Sequence, residues 1–100
     1  MNMNEQIAYA LIDECLKALR LRSYRDLVAL ISHSQTKKVV GEDGKQYQLE
    51  IQVFWDGKSG GDIRVMVAAD DGGIRTFKPL THDFVMASDG SFVGESFGGY

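Results

Sequence analysis

Disulfide staples are excluded within this chain, because Cys15 is its one cysteine. A fold of 100 residues must therefore stand on its own apolar core, and a lone thiol fits a reducing compartment. No run approaches the roughly 18 apolar residues of a membrane span. The N-terminal Met1-Asn2-Met3-Asn4-Glu5 lacks the positive region of a secretory leader, and Asp13 and Glu14 interrupt the apolar stretch that follows. No membrane association and a cytoplasmic location are the resulting expectations. A basic excess is missing as well: 11 Lys and Arg stand against 14 Asp and Glu, a net charge of −3. Neutralising a phosphate backbone needs the opposite balance, so no nucleic-acid partner is expected.

Metal and cofactor motifs are also wanting. There is no Cys-x-x-Cys and no His-Glu-x-x-His around His33 or His82. Gly57-Lys58-Ser59 imitates the end of a phosphate loop, but the required glycine five residues earlier is Gln52, and a strand rather than a helix follows. The Asp-Gly pairs at 43–44, 56–57, 71–72 and 89–90 sit each in its own turn, without the alternate carboxylate spacing of a calcium loop. Hence no cofactor and no metal are expected. Cys15 falls on an apolar helical stripe, where a thiol packs rather than reacts. His82 and Asp83 are neighbours, and neighbouring side chains on a strand point apart. Neither feature makes a catalytic constellation, and no catalytic residue is assigned. Lys17, Arg20, Arg22 and Arg25 form a basic cluster that reads as solvated charge near a helix C-terminus.

What is present is ordinary globular material, 44% hydrophobic and 25% charged, in one domain over 1–100. Ile7, Ala8, Leu11, Ile12, Cys15, Leu16 and Leu19 recur at helical spacing, while Glu5, Gln6, Tyr9, Asp13, Lys17 and Arg20 fall elsewhere. This predicts a helix over about 4–21, capped by Asn4. Ser23 caps a second, shorter helix over about 24–32. Near Thr36 the period changes to two. Strands are predicted over about 37–41, 46–55, 62–69 and 74–78, with a weak hairpin over 84–94 around Asp89-Gly90 and a frayed tail over 96–100. Short turns between consecutive strands dictate an antiparallel meander. The expected class is α+β: two N-terminal helices packed on one face of a sheet of four or five strands. Cystatin-like and nuclear-transport-factor-like folds share that outline, which carries no function with it.

One group of residues departs from the pattern. Phe54 and Met66 interrupt the polar side of their strands, and Trp55, Arg64, Arg75, Phe77 and Phe84 lie near them in register or sequence. Aromatic, Met and Arg side chains together are interface composition. The group is expected either to join two copies of the chain or another protein partner, or to be covered by the last hairpin. The leading reading is a non-enzymatic protein-interaction or regulatory module. The alternative is a small-molecule-binding domain, weakly enzymatic, with a pocket between helix and sheet fringed by Arg64, Arg75, Asp70 and His82. The candidate surface is thus Phe54, Trp55, Arg64, Met66, Arg75, Phe77 and His82.

The segments Gly61-Asp62-Ile63-Arg64-Val65-Met66, Asp70-Asp71-Gly72-Gly73, Phe77-Lys78-Pro79-Leu80-Thr81, Asp83-Phe84 and Asp89-Gly90-Ser91-Phe92-Val93-Gly94-Glu95 resemble a group of small uncharacterised bacterial proteins. The likeness extends back through Ile51-Gln52-Val53-Phe54-Trp55 and Tyr24-Arg25-Asp26-Leu27. It implies a bacterial source and brings no activity or site residues.

Overall fold

The structure, a computed structural model, describes residues 4–70 and 80–95. Helix α1 spans Glu5–Arg20 and helix α2 spans Tyr24–Val28. Strands β1 (Gln35–Val40), β2 (Gln46–Trp55), β3 (Ile63–Asp70), β4 (Leu80–Met86) and β5 (Phe92–Val93) follow. They form one five-stranded sheet in the order β1-β2-β3-β4-β5, every pair antiparallel. The domain is α+β, with α1 laid across one face of the meander over β3 and β4, and α2 against β2.

Local chemistry explains the helix ends. The Asn4 side chain accepts from the Ile7 amide at 3.1 Å and the Ser23 hydroxyl from the Asp26 amide at 3.1 Å, so each cap satisfies an amide that has no helical partner. The second helix is shorter than its periodicity suggests. After Val28 the chain tightens into three-residue bonds, Leu30 to Leu27 and Ile31 to Val28. Ile31 then forms a bridge with Val53, and Ser32 takes a left-handed φ of 66°. Pairing with the sheet thus wins over the last helical turn.

Alternation in β2 and β3 is strict. Tyr47, Leu49, Ile51 and Val53 are buried beneath the helices, and so are Ile63, Val65, Val67 and Ala69. Register places Leu49 beside Ala69, Ile51 beside Val67 and Val53 beside Val65, so the strands present one continuous apolar floor. Ala8, Ile12, Cys15, Leu16 and Leu19 of α1 close over it, with Leu27 of α2 and Phe84 and Met86 of β4. Ile12, Val65 and Val67 have no exposed surface at all. Among the described residues no charged or polar side chain is buried with them. β1 reaches beyond this roof and is exposed along most of its length. Lys37 and Lys38 there discourage pairing with another edge.

Two hairpins use the same turn. Gly41-Glu42-Asp43-Gly44-Lys45 joins β1 to β2, and Ala87-Ser88-Asp89-Gly90-Ser91 joins β4 to β5. In each the first residue's amide donates to the fifth residue's carbonyl at 2.8 Å, and only the glycine has positive φ, 79° at Gly44 and 89° at Gly90. The aspartate side chain accepts the amide two residues on, from Lys45 at 3.1 Å and from Ser91 at 2.9 Å. Gly41 has a separate reason to lack a side chain: a Cβ there would stand 2.8 Å from the Tyr47 ring and 2.9 Å from Ile7.

The strand expected over 74–78 and the tail over 96–100 lie outside the described residues; β3 pairs directly with β4.

Truncation of the roof is the direct test of this packing. Ile12→Ala should cost about 2–5 kcal/mol in urea unfolding, since it removes fully buried methylenes and leaves a cavity. Leu21→Ala should stay within about 0.5 kcal/mol, because Leu21 is 87% exposed.

The turns predict a pH dependence. Partial desolvation pushes the Asp43 carboxyl up, but hydrogen bonds from the Tyr47 hydroxyl and the Lys45 amide outweigh it and hold the group below its ordinary value. The Ser91 hydroxyl and amide lower Asp89 likewise. A carboxylate with a lowered folded pKa contributes stability that is complete above its unfolded pKa. That contribution disappears as pH falls through the lower folded value. The Asp43→Asn, Asp89→Asn double variant should therefore show a shallower loss of urea stability on acidification than the parent; an identical acid limb would contradict the assignment.

Candidate functional site

Two surfaces carry the polar chemistry of the domain, one on each side of the sheet. The outer face, opposite the helices, is crossed by a row of four residues in register: Phe54 on β2, Arg64 on β3, Val85 on β4 and Val93 on β5. The adjacent row is Gln52, Met66 and Asp83. Phe54 is 39% and Val93 42% exposed, and no described helix lies over them. Arg64 organises the patch. Its Nε donates to Asp56 at 2.8 Å and its Nη1 to Asp83 at 2.9 Å. Those two carboxylates, Asp83 foremost, raise the guanidinium pKa further above its already high value. The guanidinium is thus held between two carboxylates, with Phe54 and Val85 as its cross-strand neighbours.

The second surface is the seam between α1 and β4. Tyr9, Asp13, Lys17 and Arg20 recur at intervals of four, four and three, so they share the flank of α1 that meets the strand. Asp13 Oδ1 lies 2.7 Å from His82 Nδ1, and the Tyr9 ring stacks on the imidazole at 4.5 Å between centroids. A carboxylate can only accept, so Nδ1 carries the proton and Nε2 is the ring's remaining nitrogen. Two helical turns beyond Asp13, Arg20 grips Glu95 with two bonds, 3.0 Å to Oε1 and 2.6 Å to Oε2. The same guanidinium sits 4.8 Å above the Phe84 ring and 4.7 Å above the Phe92 ring, which meet edge to face. Between these clusters lies an open groove of about 520 Å³ lined by Asp13, Leu16, Lys17, Arg20, Thr81, His82 and Asp83.

Of the residues singled out from sequence, Phe54, Arg64 and Met66 do share the outer face. Trp55 does not: it pairs with Ile63 on the side of the helices and is half-buried against the core. His82 is likewise on the helix side, and Phe84 is a core residue. Arg75 and Phe77 lie outside the described residues. Arg64 and Asp70 belong to the outer face, and neither is among the residues that line the groove beside His82. His82 and Asp83 diverge as strand neighbours must, one to Asp13 and the other to Arg64. The basic cluster divides, with Arg20 turned onto the aromatic pair, Lys17 on the groove and Arg22 and Arg25 exposed. Val85, Val93, Tyr9, Asp13 and Glu95 were not legible as site residues. The spacing of Tyr9, Asp13, Lys17 and Arg20 was the available signal, but it is also the spacing of a solvated helix face.

Chemically the seam holds an oriented imidazole, and no cysteine is among the residues that line its groove. Cys15 is buried, and desolvation raises its thiol pKa, an effect that the charge of Lys37 only partly offsets. A thiol held protonated is a poor nucleophile. Among the described residues no three His, Cys, Asp or Glu side chains converge to hold a metal, and no helix is long and apolar enough to cross a membrane. Comparison with protein-family models, with curated proteins and with solved structures found no match to this chain.

The imidazole and its carboxylate stand 47% and 59% exposed, so their pair should contribute little. A double-mutant cycle with His82→Ala and Asp13→Ala should return a coupling of about 0.2–1 kcal/mol in urea unfolding. A coupling several times larger would mean that the seam is closed to water.

Proposed function

We propose that this domain is a non-enzymatic protein-interaction module of the cytoplasm that works as a homodimer through the outer face of its sheet. The observation that carries the reading is the row Phe54–Arg64–Val85–Val93, an apolar stripe with a neutralised arginine at its centre and no described element above it. The residue types are those enriched at interface cores. The shortest dimension of the molecule, 21 Å, is about that of one helix layer on one sheet, which leaves room for a second sheet on the open side.

The outward side chains of β1 and β2 add Lys38, Gln46, Gln48, Glu50 and Gln52 to this face, beside Asp70 of β3. The small-molecule reading has less support. The core between helix and sheet is filled by side chains with almost no exposure, and the opening of about 520 Å³ that includes His82 lies at its margin, between α1 and the edge of β4.

Sedimentation equilibrium at micromolar protein tests the reading. Twice the 11.1 kDa chain mass is expected for the parent. Met66→Glu and Phe54→Glu should give one chain mass with an unchanged circular dichroism spectrum, and a melting temperature that no longer rises with protein concentration. A parent of one chain mass would contradict the proposal.

A further inference from the structure

We infer that the free edge of β4 beside α1 is a docking track for an extended peptide segment of a partner protein, one bearing a carboxylate side chain that faces Lys17. This site is separate from the outer face and does not depend on it.

β4 is paired along one edge with β3 from Leu80 to Met86, but along the other edge β5 pairs only with Val85 and Met86. Among the described residues, Leu80–Phe84 have no partner strand on that side. The reason is visible in the chain. A strand continuing straight from Phe92-Val93 would run along Phe84 and onward to Leu80. Gly94 instead turns away with φ 79°, and Arg20 holds Glu95 by two hydrogen bonds against α1. Among the described residues, this diversion at Gly94 is where the chain leaves the edge.

An open edge is normally blunted. β1, at the opposite side of the sheet, carries Lys37 and Lys38. Leu80-Thr81-His82-Asp83-Phe84 has no lysine and no proline. Its two titratable side chains are both occupied, His82 by Asp13 and Asp83 by Arg64. Next to this edge lies the groove of about 520 Å³, with Thr81, His82 and Asp83 on one wall and Asp13, Leu16, Lys17 and Arg20 on the other. A strand edge beside a helix is the geometry in which a peptide adds itself to a sheet. Main-chain hydrogen bonds to the edge supply affinity, and alternate side chains entering the groove supply selectivity.

The charge of the groove selects the peptide. Arg20 is paired with Glu95, Asp13 with His82 and Asp83 with Arg64. Lys17 is the charged lining residue with no ion-pair partner among the described residues. The complement is one carboxylate on an inward-facing position of the added strand. A second copy presenting its own β4 edge offers only Asp83, already held by Arg64, and leaves Lys17 unanswered.

The probe is a fluorescein-labelled heptapeptide of alternating Thr and Val with a central Glu, titrated by fluorescence anisotropy. Saturable binding is expected, weakened by about tenfold or more by Lys17→Glu or by a Lys at the peptide's centre. Lys38→Glu on β1 should leave it unchanged. Lys17→Gln, with its melting temperature checked against the parent, should weaken binding without inverting the charge. In an antiparallel pair only alternate amides of the peptide face β4. N-methylation of one alternating set should abolish binding, and methylation of the other set should not. Absence of saturable binding at millimolar peptide, equal sensitivity to both methylated sets, or indifference to Lys17→Glu would overturn the inference. So would slow hydrogen exchange at all amides of Leu80–Phe84 in the peptide-free protein, which would show that edge already occupied.

Discussion

Everything in this domain depends on one contact: the apolar stripe of α1 pressed on the inner face of β3 and β4. A meander has two faces, and a helix covers only one of them. The contact buries Ile12, Leu16 and Leu19 above Val65, Val67 and Phe84. In doing so it decides which side of every strand is core and which is surface. Side chains on a strand alternate, so once Val65 and Val67 are fixed inward, Arg64 and Met66 are fixed outward. The outer patch is thus a consequence of where the helix lies, and no separate device is needed to expose it.

The same contact builds the seam. A helix that crosses β4 must bring one flank beside that strand, and on α1 this flank carries Tyr9, Asp13, Lys17 and Arg20. Three of them do structural work. Asp13 and Tyr9 hold His82, while Arg20 reaches from α1 to the turn after β5 and pins Glu95. Bidentate geometry and partial burial make the Arg20 contact the stronger of the two, for the Asp13–His82 pair is half in water. Among the described residues, the chain pairs with β4 only at Phe92 and Val93 before it reaches this contact.

Much of the fold was legible in the chain. Strict alternation over Gln46–Trp55, two Asp-Gly turns and the caps at Asn4 and Ser23 each rest on local chemistry that the sequence displays directly. The shortening of the second helix was not legible, because Leu30 and Ile31 satisfy a helical pattern and a bridge to Val53 equally well. The outer patch was half legible: Phe54, Arg64 and Met66 break a polar face visibly, whereas Val85 and Val93 look like core residues until register places them. Trp55 was drawn into the same group by adjacency, although parity alone sends it to the other side. The seam was hidden for a different reason. Asp13 and His82 lie 69 positions apart, and only the tertiary crossing of α1 over β4 unites them. Arg75 and Phe77 belong to residues whose structure is not described.

The central claim is that the helix side of the sheet is closed and the outer side is the one that meets another molecule. Methyl and amide NMR spectra recorded across a dilution series test it residue by residue. Concentration-dependent shifts confined to Phe54, Arg64, Met66, Val85 and Val93 are the predicted result. Shifts centred on α1, or spectra that do not change with concentration, would contradict it.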